Sequence, residues 1–232
     1  EDMIATIRSR CRHLGLRIPT ASAVADLLVR EGVATPDVAL EAARAAQSHI
    51  GLARALARDP QMRERRRAII TAPASVRSVG EAVMAADRLL ETAKAQADAQ
   101  VSERNAREKA ELMRQLGMDE GESATKASRT MIRQLEEDQK RRSKRALTDA
   151  IDRALIDLLA IYRDVLMVQV GGDGELINTD LSDLVHEIAQ DSTPRQTLAR
   201  VDHIETARKR LVSNGNPLLV LEDMAISLRP QA

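Results

Sequence analysis

The chain lacks phenylalanine and tryptophan, and Tyr162 is its only aromatic residue. We therefore expect a core of leucine, isoleucine, valine, alanine and methionine, which suits closely packed helices. The lack of aromatic rings also removes the usual stacking surface for the bases of single-stranded nucleic acid. With 232 residues, of which 44% are hydrophobic, the chain is long enough for one or two domains with a substantial core.

Net charge and clustered metal ligands are also missing. Lysine plus arginine number 35, as do aspartate plus glutamate, so no global field draws the chain towards DNA or an anionic membrane. Cys11 is the only cysteine, which excludes an internal disulfide and fits a cytoplasmic location. No apolar run reaches about 18 residues, so we predict no membrane span and no membrane partner. The histidines are too scattered to predict a metal site; they are His13, His49, His186 and His203. We predict no cofactor site either.

Signals for short helices begin near residue 19 and predict a mainly α fold. Thr20 is the expected N-cap of the first helix, Thr35-Pro36 opens the second, and a third follows shortly after. Together they predict a compact three-helix bundle. A further helix begins at Asp59-Pro60 and carries the basic run Arg65–Arg67, which we interpret as a solvated face. The break at Thr71–Ala74 is the predicted domain boundary.

The second half of the sequence predicts a long charged hairpin and a bundle of about five helices. A capping-box pattern at Ser78–Glu81 opens a long helix, which becomes polar and charged along its length. A second charged helix follows the polar stretch 117–128 and continues into the main body. A second capping box at Thr193–Gln196 and the pair Asn216-Pro217 open two later helices. The two charged helices predict a projecting hairpin over residues 93–148, approximately.

The run Thr6-x-x-Ser9-Arg10-Cys11 resembles the Thr-x-x-Ser-Arg-Cys signature of replication clamp loaders, which are AAA+ proteins. In that family the strand with this signature ends an ATPase module, and its arginine faces ATP held by the neighbouring subunit. The resemblance implies that Arg10 acts in trans and that Thr6, Ser9 and Cys11 are positions of the motif. An arginine suits this role because it stays charged and presents a planar fork of donors to phosphate oxygens. The alternative is that the arginines of this run are ordinary alternating charges of a strand.

Other stretches are similar to further parts of the same family. Gly51–Leu56 is similar to the Gly-Ser-x-Arg-x-Ala run of the lid, although Leu52 replaces the serine. Ile161–Leu166 and Asn216–Glu222 resemble pieces of the helical collar in bacterial delta-prime subunits of the DNA polymerase III clamp loader, with the actinobacterial forms most alike. The interface candidates that these similarities imply are Arg54, Tyr162, Arg163, Asn216 and Pro217.

The resemblance implies three parts of the chain. Residues 1–18 are the end of an ATPase-like module with the Ser-Arg-Cys strand, and residues 19–73 are a three-helix lid with a connecting helix. Residues 74–232 are a helical collar that contains the hairpin. Because the signature comes almost at the start, we expect the chain to be a C-terminal fragment. The intact subunit would hydrolyse no ATP, assemble with gamma/tau and delta subunits, and reach the sliding clamp and primed DNA through the assembled complex.

Two alternatives stay open. The chain could be a fragment of a gamma/tau subunit, an active ATPase that a phosphate loop in the upstream sequence would reveal. The glycine cluster Gly171–Gly174 is no such loop, because it lacks the lysine and the serine or threonine. The chain could instead be a helical scaffold protein with a coiled-coil arm and no link to replication; the role of Arg10 distinguishes this case.

Overall fold

A computed structural model of the protein describes residues 9–12, 15, 17–117 and 126–229. Over these residues it contains nine α-helices, one short 3-10 helix and no strand. The mainly α class predicted from the sequence is therefore confirmed. The chain divides into two compact units, Glu1–Pro60 and Gln61–Ala232.

The first unit contains three short helices, as the sequence predicts. They are α1 (Ala21–Arg30), α2 (Pro36–Ala45) and α3 (Ile50–Arg58). Thr20 Oγ1 accepts a hydrogen bond from the Ala23 backbone N–H at 3.2 Å, which caps α1. The His49 ring does the same for α3, where Nδ1 accepts from the Leu52 N–H at 3.1 Å. The core of this unit consists of small and aliphatic side chains: Val24, Leu28, Ala39, Ala43, Ala53 and Leu56.

The strand expected at the Ser-Arg-Cys run is not formed. Ser9 and Arg10 lie in a turn and Cys11 in a bend, whereas Thr6 is outside the described residues. A strand needs a neighbour with which to pair its backbone N–H and C=O groups. The part of the chain that the structure describes contains no strand with which this run could form a sheet.

The predicted boundary near residue 73 also differs from the structure. Helix α4 (Pro60–Ser75) runs through Thr71–Ala74 and includes Pro73 in its last turn. A proline there deprives only one carbonyl of its donor, so the helix continues for a few residues. The division between the units falls at Pro60 because Ile70, which is 2% exposed, belongs to the core of the second unit.

The second unit continues with five more helices and a 3-10 turn. They are α5 (Val79–Gln115), α6 (Lys126–Gln169), the 3-10 turn Thr179–Leu181, α7 (Ser182–Asp191), α8 (Pro194–Val212) and α9 (Pro217–Ser227). Both predicted capping boxes are formed, with Ser78 and Glu81 at α5 and Thr193 and Gln196 at α8. The main core combines aliphatic side chains from α4 to α9, among them Leu90, Ile151, Leu155, Val165, Val185, Ile204 and Leu221.

The long hairpin is formed by the end of α5 and the start of α6. Gln139 Nε2 donates to the Asn105 carbonyl at 2.9 Å, and an Arg142 guanidinium nitrogen lies 2.9 Å from Glu108 Oε2. Small apolar side chains close the space between the helices nearer the body: Ala97, Val101 and Ala146. Helix α6 continues without a break into the body, as predicted, and the stretch 118–125 lies outside the described residues.

Candidate functional site

The arginine predicted to act in trans, Arg10, lies on an exposed turn of the first unit. Its neighbour Cys11 is also exposed and carries a free thiol. A guanidinium can reach a phosphate on another protein only from such a position, because a side chain packed in its own core could not leave it. The exposure of Arg10 therefore permits the predicted role.

Arg54, the lid candidate, forms a bidentate ion pair inside the first unit. Its Nε lies 3.0 Å from Glu31 Oε2, and one terminal nitrogen lies 2.8 Å from Oε1. The guanidinium fork matches the geometry of a carboxylate, so the pair links α3 to the residue that follows α1. Both side chains are about one-third exposed, and a pair of this kind contributes about 0–1 kcal/mol. Arg54 would have to share or leave Glu31 in order to contact another subunit.

Tyr162 is a core residue of the second unit rather than part of an accessible surface. It is 3% exposed, and the Arg200 guanidinium lies over its ring at 5.8 Å from the centroid. Burial raises the pKa of Tyr162 to about 12, although the positive charge of Arg200 partly opposes this rise. The expectation that Tyr162 is an interface residue thus differs from the structure. The apolar faces of α6 are buried by other helices of the same unit, and Tyr162 lies on one of them.

Arg163 contacts the segment that follows α6. One guanidinium nitrogen donates to Asp164 Oδ1 and to the Glu175 carbonyl, both at 2.8 Å. Asp164 is fully buried and accepts from the backbone N–H groups of Ile177, at 3.0 Å, and Asn178, at 2.8 Å. Arg163 and Asp164 together hold this segment against the helix. The role of Arg163 in the described structure is therefore to position the chain within one unit.

A largely buried arginine on α4 extends the same network. Arg66 Nε donates to Asp157 Oδ1 at 3.1 Å, and a terminal nitrogen donates to Asn178 Oδ1 at 2.6 Å. Its side chain is only 10% exposed, which differs from the solvated face predicted for Arg65–Arg67. Sequence reasoning missed Arg66 because its partners are 91 and 112 positions away. No local pattern marks such a pair.

Asn216 and Pro217 form the start of α9. Asn216 Oδ1 accepts from the N–H groups of Leu218 and Leu219, at 3.0 and 3.4 Å, and Pro217 occupies the first turn. Both residues are thus explained by helix capping. The side chains near this turn that expose apolar surface are Val212 and Leu219, at 79% and 63%. They are better interface candidates than the capping residues.

No three residues among histidine, cysteine, aspartate and glutamate are grouped in the described ranges so that they could hold a metal ion. No helix in the described part of the chain is long and apolar enough to cross a membrane.

The geometry defines a two-unit helical protein with an exposed arginine turn and a second unit braced by buried ion pairs. The chain is similar to DNA polymerase III subunit delta' of Bacillus subtilis (strain 168), with 36% identity over 72 residues. The match covers 31% of this chain and 22% of the length of that relative. No family model matches the chain, and no solved structure matches it. The similarity supports a relationship to clamp loaders.

Proposed function

We propose that the chain is the lid and collar part of a delta-prime-type subunit of the bacterial DNA polymerase III clamp loader. The observation that carries the proposal is the exposed Arg10 in its Ser9-Arg10-Cys11 run, directly ahead of a three-helix unit. The partial similarity to the Bacillus subtilis protein supports it. In this role the subunit hydrolyses no ATP itself and is a structural member of the ring that loads the sliding clamp.

Arg10 would complete an ATP site on a neighbouring gamma/tau subunit. During phosphoryl transfer, negative charge spreads over the oxygens of the transferred group, and an arginine supplied by another protein stabilises that charge. Such an arginine is worth about 10³–10⁵ in rate at the site that it serves. An arginine presents a planar fork of donors to phosphate oxygens, so the contribution of Arg10 would depend on its position.

The second unit would be the collar, which holds the subunit in the ring beside gamma/tau and delta. The exposed Val212 and Leu219 of this unit would supply apolar surface for a neighbour. Contact with the sliding clamp and with primed DNA would arise through the assembled complex. The proposed place of the complex is the cytoplasm, where the chromosome is replicated in bacteria.

The test is an Arg10→Ala variant of the full-length subunit in a reconstituted loader. We expect the ATPase stimulated by clamp and DNA to fall while size-exclusion chromatography still shows an assembled complex. The stimulated ATPase should also fall in a loader with Arg10→Lys, because an ammonium lacks the planar fork of a guanidinium. Arg12→Ala is the matched control, since Arg12 is an exposed arginine in the same segment. We expect it to leave the ATPase unchanged.

Two outcomes would favour the alternatives. An unchanged ATPase in the Arg10→Ala loader would favour a helical scaffold protein with no part in the ATP site. ATP hydrolysis by the isolated full-length subunit would favour a gamma/tau subunit, because the delta-prime role requires none.

A further inference from the structure

A groove in the second unit is lined mainly by apolar side chains and is partly open to solvent. It lies between α4 and α5, has a volume of about 220 Å³, and is floored by residues of α6 and α9. Its lining includes Ala68 and Ala72 of α4, Ala85 and Leu89 of α5, and Leu158 and Leu228. The groove exists because alanines stand on both walls, and their side chains are too short to fill the space between the two helices.

The groove has room for bulky apolar side chains. An apolar cavity of about 150 Å³ binds benzene, so this volume suffices for one large aliphatic or aromatic group and part of a second. The residues of α4 along it, from Arg65 to Pro73, cover two helical turns, a length of about 12 Å. The shape therefore suits a short amphipathic segment better than a single compact molecule.

Positive charge lies on both walls. Arg65 of α4 and Arg88 of α5 line the groove and are exposed. The hydroxyl of Thr92, the remaining polar lining group, donates to the Arg88 carbonyl at 2.8 Å, which ties it to its own helix. Met84 is 60% exposed and precedes Arg88 by one turn, so apolar surface continues beyond the rim. The apolar lining of the groove thus lies beside the exposed positive charge of Arg88.

We propose that this groove binds an amphipathic helix of a partner protein. The helix inserts one apolar side chain fully and a second one, at i+3 or i+4, in part between α4 and α5, as in other helix-in-groove complexes. Its carboxylates lie beside Arg88, which fixes its orientation and disfavours a basic helix. Met84 contacts the part of the helix outside the groove. The inference rests on the groove alone and does not require the clamp loader assignment.

The experiment uses three fluorescein-labelled synthetic peptides of equal length. The first has leucines at the stated spacing and glutamates on both flanks; the second has lysines for the glutamates; the third has alanines for the leucines. Binding to the full chain is measured by fluorescence anisotropy. We expect the acidic leucine peptide to bind at least tenfold more tightly than either of the others.

Variants of the chain locate the binding. Arg88→Glu should weaken binding of the acidic peptide at least tenfold and strengthen that of the lysine peptide. Ala72→Leu fills the groove and should abolish binding; circular dichroism shows whether this variant folds, and the exposed Arg88 position tests the site independently. Arg145→Glu, at an exposed arginine of α6 away from the groove lining, is the matched control and should change nothing.

Several results would overturn the proposal. One is an acidic peptide that binds no more tightly than the lysine or alanine peptide, and another is binding of the acidic peptide that Arg88→Glu leaves unchanged. Binding of octanoate that depends on Arg88, without binding of the peptide, would assign the groove to small apolar acids instead. Self-association that Arg88→Glu removes would assign it to a second copy of the chain.

Discussion

Asp164 accepts a hydrogen bond from the side-chain amide of Asn178, with 2.9 Å between Oδ2 and Nδ2 and with both residues fully buried. A buried polar group costs free energy unless hydrogen bonds replace those that it made with water. Two backbone N–H groups and Arg163 supply the remaining donors. This one side chain therefore holds the segment after α6 in place.

Asp164→Ala should destabilise the protein by about 3–5 kcal/mol, because it leaves buried donors without an acceptor. Urea unfolding followed by circular dichroism measures the change. Asp202→Ala is the control, since Asp202 is exposed on α8, and it should stay within about 0.5 kcal/mol of the wild type. A loss below about 1 kcal/mol for Asp164→Ala would contradict the structural role given to the carboxylate.

Replacement by alanine should lower the free energy of unfolding by different amounts at two consecutive arginines of α4. Arg66→Ala removes a buried donor from Asp157 and Asn178 and should cost about 2–3 kcal/mol, since Arg153 still pairs with Asp157. Arg67 forms an exposed pair with Asp180 at 3.1 Å, so Arg67→Ala should cost at most about 1 kcal/mol. Equal losses in urea unfolding would show that Arg66 is an ordinary surface residue.

The contrast between these arginines illustrates what sequence can predict here. The starts of α5, α8 and α9 were open to prediction because Ser78, Thr193 and Asn216 cap them through residues two or three positions away. The hairpin was predictable for a similar reason, since charged helical periodicity on both sides of a polar stretch is a local pattern. Arg10 is exposed, and the role inferred from its motif stays a prediction.

Local sequence patterns do not predict the features that depend on residues far away in the chain. A basic run on a helix has the same sequence whether it meets water or a carboxylate 91 positions away, as Arg66 does. Whether an apolar residue such as Tyr162 faces a partner or its own core depends on how many helices surround it. The strand at Ser9–Cys11 was predicted from the family motif, but pairing needs a neighbour that the described chain does not supply.

Tyr162 should make stability depend on alkaline pH. Burial raises its pKa to about 12, whereas the phenol of the unfolded chain ionises near its ordinary pKa of about 10. The contribution of neutral Tyr162 to the free energy of unfolding is therefore fully present below pH 10. It is lost as the pH rises towards 12, and the loss is about 3 kcal/mol at most. We expect this loss in the wild type and not in Tyr162→Phe. Parallel pH profiles of the two free energies of unfolding would contradict the cause assigned to the shift.

Glu108 should report the pairing of the hairpin helices at acidic pH. The hydrogen bond from Arg142 of the opposite helix, followed by that from Arg104, lowers the pKa of Glu108 to about 2. The stability that this carboxylate adds is present above its ordinary pKa and is lost as the pH falls towards 2. A ¹³C NMR titration of its side-chain carboxyl measures the value directly.

Removing each arginine in turn tests the order of these causes. Arg142→Ala should bring the pKa of Glu108 back towards its usual value, and Arg104→Ala should do so to a smaller extent, because Arg142 contributes the larger hydrogen-bond effect. Arg133→Ala is the control, since Arg133 pairs with Glu137 on its own helix, and it should leave the titration unchanged. If Glu108 of the wild type titrated near its ordinary pKa, Arg142 would not hold the two helices together at this position in solution.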